Sequence, residues 1–219
     1  MAHRAGLNGF AAPTRPEDFL DWALIVERLA AQAPLWPPWS TAAYHGMTWG
    51  WLTGELLRRV SGLMPREYIE QRIAGPTVNP PPDATAANRP DWRAAQIPAV
   101  NVHASADGLA RLYAALAHDG GLDGTPILSP AGIAAMVRPR GRAHDEMLGE
   151  RQWAAGVALN RGGLYGPHQD AFGHSGWGGS FGFADPTTAR GVAYVVNRMG
   201  SALNGDPRAR TLAQLAVAC

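Results

Sequence analysis

The sequence predicts an α+β fold, in which a mainly helical lobe precedes an antiparallel sheet that ends in a helix. Apolar residues recur at helical spacing in the first two-thirds of the chain, and later apolar segments are short and strand-like. Glycines and an Asp-Pro pair separate these later segments, as is typical of hairpins in antiparallel sheets. We therefore predict a helical lobe over residues 1–149 and a sheet lobe over residues 150–219.

Periodicity and capping residues predict the helices of the first lobe. Helices are expected over residues 17–31, 44–62 and 65–74, then after Ser105 and after Ser129-Pro130. On the second helix, Leu52, Leu56, Leu57 and Val60 form one apolar stripe, and Gly62 lies where a C-cap belongs. The proline-rich residues 76–100 indicate an ordered loop or a surface linker.

The second lobe contains short segments rich in aromatic and β-branched residues. Strands are expected over residues 153–159, 171–174, 180–184 and 191–197, with a turn at Asp185-Pro186. Asp206-Pro207 is expected to cap a final helix.

Composition excludes several classes of function. The net charge is +1 over 219 residues, and basic residues form no run, so we expect no nucleic-acid partner. No apolar run is long enough to span a membrane. The single cysteine, Cys219, excludes internal disulfides, which fits a cytoplasmic protein. No metal-binding motif or phosphate loop is present, so we predict no metal and no cofactor.

All 19 basic residues are arginines, and the chain contains no lysine. A GC-rich genome accounts for this bias in composition. The consequence for chemistry is that neither a Schiff base nor a lysine general base can form from this chain.

A glycine-rich segment around His174 is the first candidate for chemistry. Four glycines in residues 173–179 interrupt a strand, as happens where a ligand or another backbone approaches closely. His174 could donate a hydrogen bond to a bound carboxylate or oxyanion; alternatively, the segment is a hairpin with an exposed histidine. Ser175 does not fit the G-x-S-x-G pattern of a nucleophile elbow.

Tyr44 lies at the entrance of the second predicted helix and is the other candidate. A tyrosine there is usually a packed ring, but it becomes a catalytic base if a nearby cation lowers its pKa.

Together these segments resemble the serine β-lactamase-related hydrolases of class C type, which include penicillin-binding proteins and esterases. The H-x-[SA]-G-L loop, the tyrosine motif, a following helix and the H-x-G variant of the K-T-G motif occur in the family's order. They correspond to residues 3–7, 33–36 with 44–52, 104–111, and 172–179.

The resemblance implies an acyl-enzyme mechanism. Tyr44 is then the general base, and His174 takes the place of the third-motif lysine. The same resemblance places Gly46, Ser175, Gly176 and Trp177 against the substrate, with the Trp177 backbone N–H as an oxyanion donor. Tyr44 and His174 are expected to face each other across one pocket.

Two departures from the family pattern affect this expectation. Gly46 stands where the family often has asparagine. The family's Ser-x-x-Lys motif, which lies upstream of the H-x-[SA]-G-L loop, cannot occur in a chain without lysine. We therefore expect a partial β-lactamase/transpeptidase-like domain that lacks the N-terminal strands and the nucleophile helix.

Three functional readings follow. The first is an inactive fragment of a serine hydrolase that acts on a small-molecule ester, β-lactam or D-Ala-type peptide. The second is a non-catalytic binding module that keeps the cleft, and the third is an unrelated α+β protein.

Overall fold

The computed structural model forms two compact units, His3–Ala104 and Ser105–Cys219. The structure describes residues 2–72, 89–97, 99, 104–141, 143–202 and 205–217.

The first unit is helical. Its elements are a 3-10 helix at Pro16–Leu20, α1 at Trp22–Ala31, α2 at Thr48–Ser61, α3 at Pro65–Arg72 and α4 at Pro90–Ala94. The single helix predicted over residues 17–31 is interrupted at Asp21, whose side chain accepts a hydrogen bond from the Leu24 N–H at 3.0 Å. This N-cap pairs the Leu24 N–H, which has no partner within the helix, and α1 begins after it.

The core of the first unit corrects the predicted apolar stripe. Trp51 of α2 is fully buried and packs with Ile25 and Leu29 of α1. Leu56 and Val60, two members of the predicted stripe, are 49% and 79% exposed. Leu52 packs against this core, but the stripe was wrong at Leu56 and Val60, because burial of the large Trp51 indole turns a different face of α2 inward.

The ends of the helices agree better with the sequence. Gly62 is the C-cap of α2 and adopts the left-handed conformation with φ of 75°. Part of the segment predicted as a loop contains the short helix α4, while residues 73–88 lie outside the described residues.

The second unit combines three helices with two antiparallel sheets. Its helices are α5 at Ala106–Ala117, α6 at Pro130–Met136 and α7 at Pro207–Leu215. A two-stranded hairpin pairs β1 at Gly121–Leu122 with β2 at Thr125–Pro126. The main sheet runs in chain order through β3 at Gln152–Trp153, β4 at Ala158–Leu159, β5 at Phe172–Ser175, β6 at Phe181–Asp185 and β7 at Arg190–Tyr194.

Capping residues predicted from the sequence begin all three helices. Ser105, Ser129 and Asp206 each accept a hydrogen bond from a first-turn N–H, at distances of 3.0, 3.1 and 2.9 Å. The strand predicted over residues 153–159 is instead a tight hairpin between β3 and β4, because the Ala154 N–H donates to the Val157 carbonyl at 2.9 Å.

Helix α5 packs directly on the sheet at a glycine. A Cβ atom built on Gly191 of β7 would lie 2.0 Å from the Ala114 nitrogen and 2.1 Å from the Ala110 carbonyl oxygen. Only glycine permits this approach of helix and strand backbones. The packing places α5 against β7 and β6, and the turn that connects β5 to β6 carries the second-unit candidates.

Candidate active site

Tyr44 lies in a cluster of aromatic rings in the first unit. The His3 ring meets the Tyr44 ring edge to face, with centroids 4.9 Å apart. His3 Nδ1 also accepts the His45 backbone N–H at 3.1 Å, and the His3 carbonyl accepts the Ala43 N–H at 3.0 Å. The two sequence motifs around residues 3–7 and 44–52 are therefore joined in space.

His45 holds these motifs together. It is buried, its Nδ1 lies 2.6 Å from the Ala43 carbonyl, and its Nε2 lies 3.2 Å from the Leu7 backbone N–H. A carbonyl can only accept and an N–H can only donate, so Nδ1 carries the proton and Nε2 does not. The His45 ring therefore links the Ala43 carbonyl to the Leu7 N–H.

Gly46 lies against the Tyr44 ring. A Cβ atom at this position would be 3.2 Å from Tyr44 Cε1 and 3.4 Å from Cδ1. An asparagine here, as in the family motif, would therefore require a shift of the ring by a few tenths of an ångström.

His174 lies on β5 in the second unit and is partly buried. Its Nδ1 lies 2.9 Å from the Ser175 carbonyl oxygen, and its ring stacks on Trp153 with centroids 5.7 Å apart. Burial, together with the nearby positive charge of Arg151, lowers the pKa of His174 to about 4.

The consequence is a neutral imidazole with a defined tautomer. Because Nδ1 donates to a carbonyl, Nε2 carries the lone pair at neutral pH. This tautomer makes Nε2 of His174 a hydrogen-bond acceptor, whereas the sequence suggested a donor to a carboxylate or oxyanion.

A buried hydrogen bond holds the Trp153 indole in place. Its indole N–H donates to the carboxylate of Asp145 at 2.8 Å, and both residues are buried. The same carboxylate accepts the backbone N–H groups of Met147 and Leu148 at 2.9 and 3.0 Å. This network holds the surface on which the His174 ring stacks.

Ser175 has no base within its own network. Its hydroxyl donates to the Tyr165 hydroxyl at 3.4 Å, which also lies 3.5 Å from an Arg151 nitrogen. Burial raises the pKa of Tyr165, so its phenol stays protonated. The geometry therefore does not activate Ser175 as a nucleophile.

The turn after β5 presents the Trp177 backbone. The Gly176 N–H donates to the Ser180 carbonyl at 2.7 Å and closes the turn. Trp177 is 52% exposed, and its backbone N–H makes no hydrogen bond to any residue within the described ranges. A free N–H at a turn is the kind of donor that stabilises an oxyanion.

The glycines of this segment have different uses. A Cβ atom on Gly173 would lie 2.2 Å from the Gly182 carbonyl oxygen, so Gly173 allows close packing within the sheet. Gly179 has φ of 113° in the turn, a conformation that favours glycine.

Sequence reasoning did not identify the residues behind His174 and Ser175. Arg151, Trp153, Tyr165 and Asp145 come from the hairpin β3–β4 and its flanking loops, and no motif spacing connects them to β5. Among residues that the structure describes, no three His, Cys, Asp or Glu side chains cluster as a metal ion would require. None of the described helices combines the length and apolar character needed to cross a bilayer.

A helical unit with a motif tyrosine and an antiparallel unit with an H-x-G strand define the β-lactamase/transpeptidase-like class. The sequence model of the β-lactamase family matches residues 1–217. The chain therefore belongs to the β-lactamase family.

Individual relatives agree with this assignment. The chain is 32% identical to the "Esterase/beta-lactamase LipL" of Mycobacterium tuberculosis H37Rv, over 93% of this chain and 58% of the relative. It is 39% identical to a penicillin-binding protein homologue from Caulobacter crescentus, with a TM-score of 0.89 over 99% of this chain and 69% of that one. A family VIII carboxylesterase is 34% identical, with a TM-score of 0.87 over 98% of this chain and 69% of that one.

The resemblance and the fold class predicted from the sequence are thus confirmed. The chain spans 58% of the length of the mycobacterial relative.

Proposed function

We propose that this chain carries the base and oxyanion parts of a serine hydrolase that cleaves small-molecule esters. The observation that carries the proposal is the unpaired Trp177 N–H three residues beyond the neutral imidazole of His174 on β5. Tyr44 is proposed as the general base, with Gly46, Ser175 and Gly176 against the substrate.

An acyl transfer needs a proton acceptor and a donor to the developing negative charge. The Trp177 N–H can donate to the tetrahedral oxyanion. His174 Nε2 can accept a hydrogen bond from a hydroxyl group of the substrate.

The preference for neutral esters follows from two features. β-Lactams and D-Ala-type peptides carry a carboxylate, and a neutral His174 offers that carboxylate no positive charge. Gly46 provides no side-chain amide to bind an amide group of the substrate. The site therefore lacks a positive charge for a carboxylate and a side-chain amide at position 46. An ester without a carboxylate needs neither interaction.

The nucleophile is proposed to belong to a Ser-x-x-Lys segment outside this sequence. The 219 residues contain no lysine, and Ser175 is paired with a protonated tyrosine. Loss of a nucleophile costs a serine protease on the order of a million-fold in kcat. The chain by itself is therefore expected to show no turnover.

The chain can be tested by incubation with nitrocefin and with p-nitrophenyl esters. We expect no hydrolysis above the buffer rate. Steady turnover that a Tyr44→Phe change abolishes would show that the chain has its own nucleophile and would contradict the proposal.

The absence of lysine also favours a second candidate, a non-catalytic binding module that keeps the cleft. This candidate predicts saturable binding of a carboxylate ligand without turnover. It also predicts that no Ser-x-x-Lys segment is encoded in frame upstream of residue 1.

A further inference from the structure

The turn between β5 and β6 is weakly held by its own residues. Its internal bonds run from the Gly176 N–H to the Ser180 carbonyl at 2.7 Å and from the Gly179 N–H to the Gly176 carbonyl at 3.3 Å. Gly178 and Gly179 both have positive φ, at 89° and 113°. Such glycines have many alternative conformations, so the shape of the turn depends on contacts from outside it.

The segment that precedes α7 supplies part of this support. The Gly178 N–H donates to the Ala202 carbonyl at 3.2 Å, and the Gly178 carbonyl accepts the Gly200 N–H at 2.8 Å. The Trp177 indole N–H lies 3.4 Å from the Ser201 carbonyl. The turn and this segment are therefore joined on both sides of Gly178.

Arg208 joins the turn to the start of α7. One of its terminal nitrogens donates to the Gly178 carbonyl at 3.2 Å, and the other donates to the Arg198 carbonyl at 3.2 Å. The guanidinium also forms two hydrogen bonds with Asp206, at 3.0 and 2.9 Å. A planar guanidinium can make these bonds together, which an ammonium group cannot.

Asp206 fixes the direction of this guanidinium. Its side chain is buried, and it also caps α7 through the Arg208 backbone N–H at 2.9 Å. Hydrogen bonds from the Arg208 side chain lower the pKa of Asp206 to about 2, so the carboxylate is charged at neutral pH. Two charge-assisted hydrogen bonds to a buried carboxylate therefore anchor one edge of the Arg208 guanidinium.

We infer that Arg208 is a positioning residue, which holds the 176–179 turn so that the Trp177 backbone N–H points at the reacting carbonyl. The inference rests on the proposed function for the role of Trp177. The anchor itself is a property of the chain as it stands, so it can be measured without catalysis.

Amide hydrogen exchange of the chain, followed residue by residue by NMR, tests the anchor. In Arg208→Met we expect the Gly178 and Gly200 amides to exchange on the order of tenfold faster, because the charge-assisted bond from Arg208 to the Gly178 carbonyl is lost. The Phe183 amide in β6 should exchange as in the unchanged chain. Arg210→Met, on the exposed side of the same helix, is the control and should change none of these rates.

Arg208→Lys keeps the positive charge near Asp206 but lacks the planar set of N–H donors of a guanidinium. It replaces the methionine variant in the experiment if that variant does not fold. We expect it to accelerate exchange at Gly178 and Gly200 as well. Unchanged exchange at these two amides, or equal acceleration at Phe183, would overturn the inference, because Arg208 would then be irrelevant or merely structural.

The catalytic part uses the chain fused behind the Ser-x-x-Lys segment of an active family member. Arg208→Met should lower kcat for p-nitrophenyl acetate about ten- to a hundredfold with KM within about twofold, since an oxyanion donor acts in the transition state. An unchanged kcat would refute the positioning role. A fusion that is inactive even without the change would refute the proposed function, while the exchange rates would still decide the anchor.

Discussion

The neutral state of His174 makes a quantitative prediction about stability and pH. Burial and the charge of Arg151 lower its pKa to about 4 in the folded chain, against 6.5 for the ordinary side chain. Between these pH values the unfolded chain binds more protons than the folded chain. Stability should therefore be fully present above pH 6.5 and decrease as the pH falls towards 4.

The size of the effect follows from the two pKa values. At pH 5 the unfolded His174 side chain gains about 2 kcal/mol from protonation that the folded side chain does not gain. The ring is partly exposed, so solvent screening reduces the expected value to about 1–2 kcal/mol. Hydrogen bonds from arginine residues lower the pKa values of three carboxyl groups to about 2: Asp18, Glu55 and Asp206. The stability that these carboxylates contribute is lost only at pH values below about 5.

Urea unfolding at pH 7.5 and pH 5 measures this difference. The unchanged chain should lose about 1–2 kcal/mol more between these pH values than His174→Gln, whose amide can still donate to the Ser175 carbonyl. His118→Gln, at an exposed position, is the control. Equal pH dependence in the chain and in His174→Gln, together with an NMR titration of His174 near pH 6.5, would refute the neutral-imidazole assignment.

Two further changes test packing and the turn. Trp51→Ala should lower the free energy of unfolding by about 3–5 kcal/mol because a fully buried indole is lost, whereas Val60→Ala, at an exposed position of the same helix, should change it by less than about 0.5 kcal/mol in urea titrations. Gly179→Ala should destabilise by about 1–3 kcal/mol, because φ is 113° and the new Cβ would lie 2.9 Å from the Asp206 Cγ. Gly162→Ala, with open space around its Cβ position, is its control, and equal melting temperatures for the two variants would contradict the strain at Gly179.

Signals that are local in sequence predicted the local structure well. Ser105, Ser129 and Asp206 cap their helices because an N-cap interacts with N–H groups two or three residues away. Glycine and Asp-Pro turns likewise located β5, β6 and β7 within one to three residues at each end.

Signals that depend on tertiary packing were misread. The stripe from Leu52 to Val60 fits a helical period, yet Trp51 is the residue that the core of the unit selects. The sequence left open whether a ligand or another backbone approaches Gly173 closely, and the structure shows that the neighbouring strand does.

The candidate site divides in the same way. Tyr44 and His174 were predicted as site residues because they belong to motifs with a fixed order along the chain. Trp153 stacks on the His174 ring, and Arg151 places a positive charge near it. Both are more than 20 residues from His174 in sequence and could be found only from the fold.

The most direct test of the account is ester hydrolysis by the chain with and without a Ser-x-x-Lys segment fused ahead of residue 1. We predict no turnover of p-nitrophenyl acetate by the chain alone. We predict turnover by the fusion that falls at least about a hundredfold in Tyr44→Phe, together with an acyl-enzyme mass on the fused serine. Turnover by the chain alone, or a fusion whose activity is unaffected by Tyr44→Phe, would contradict the account.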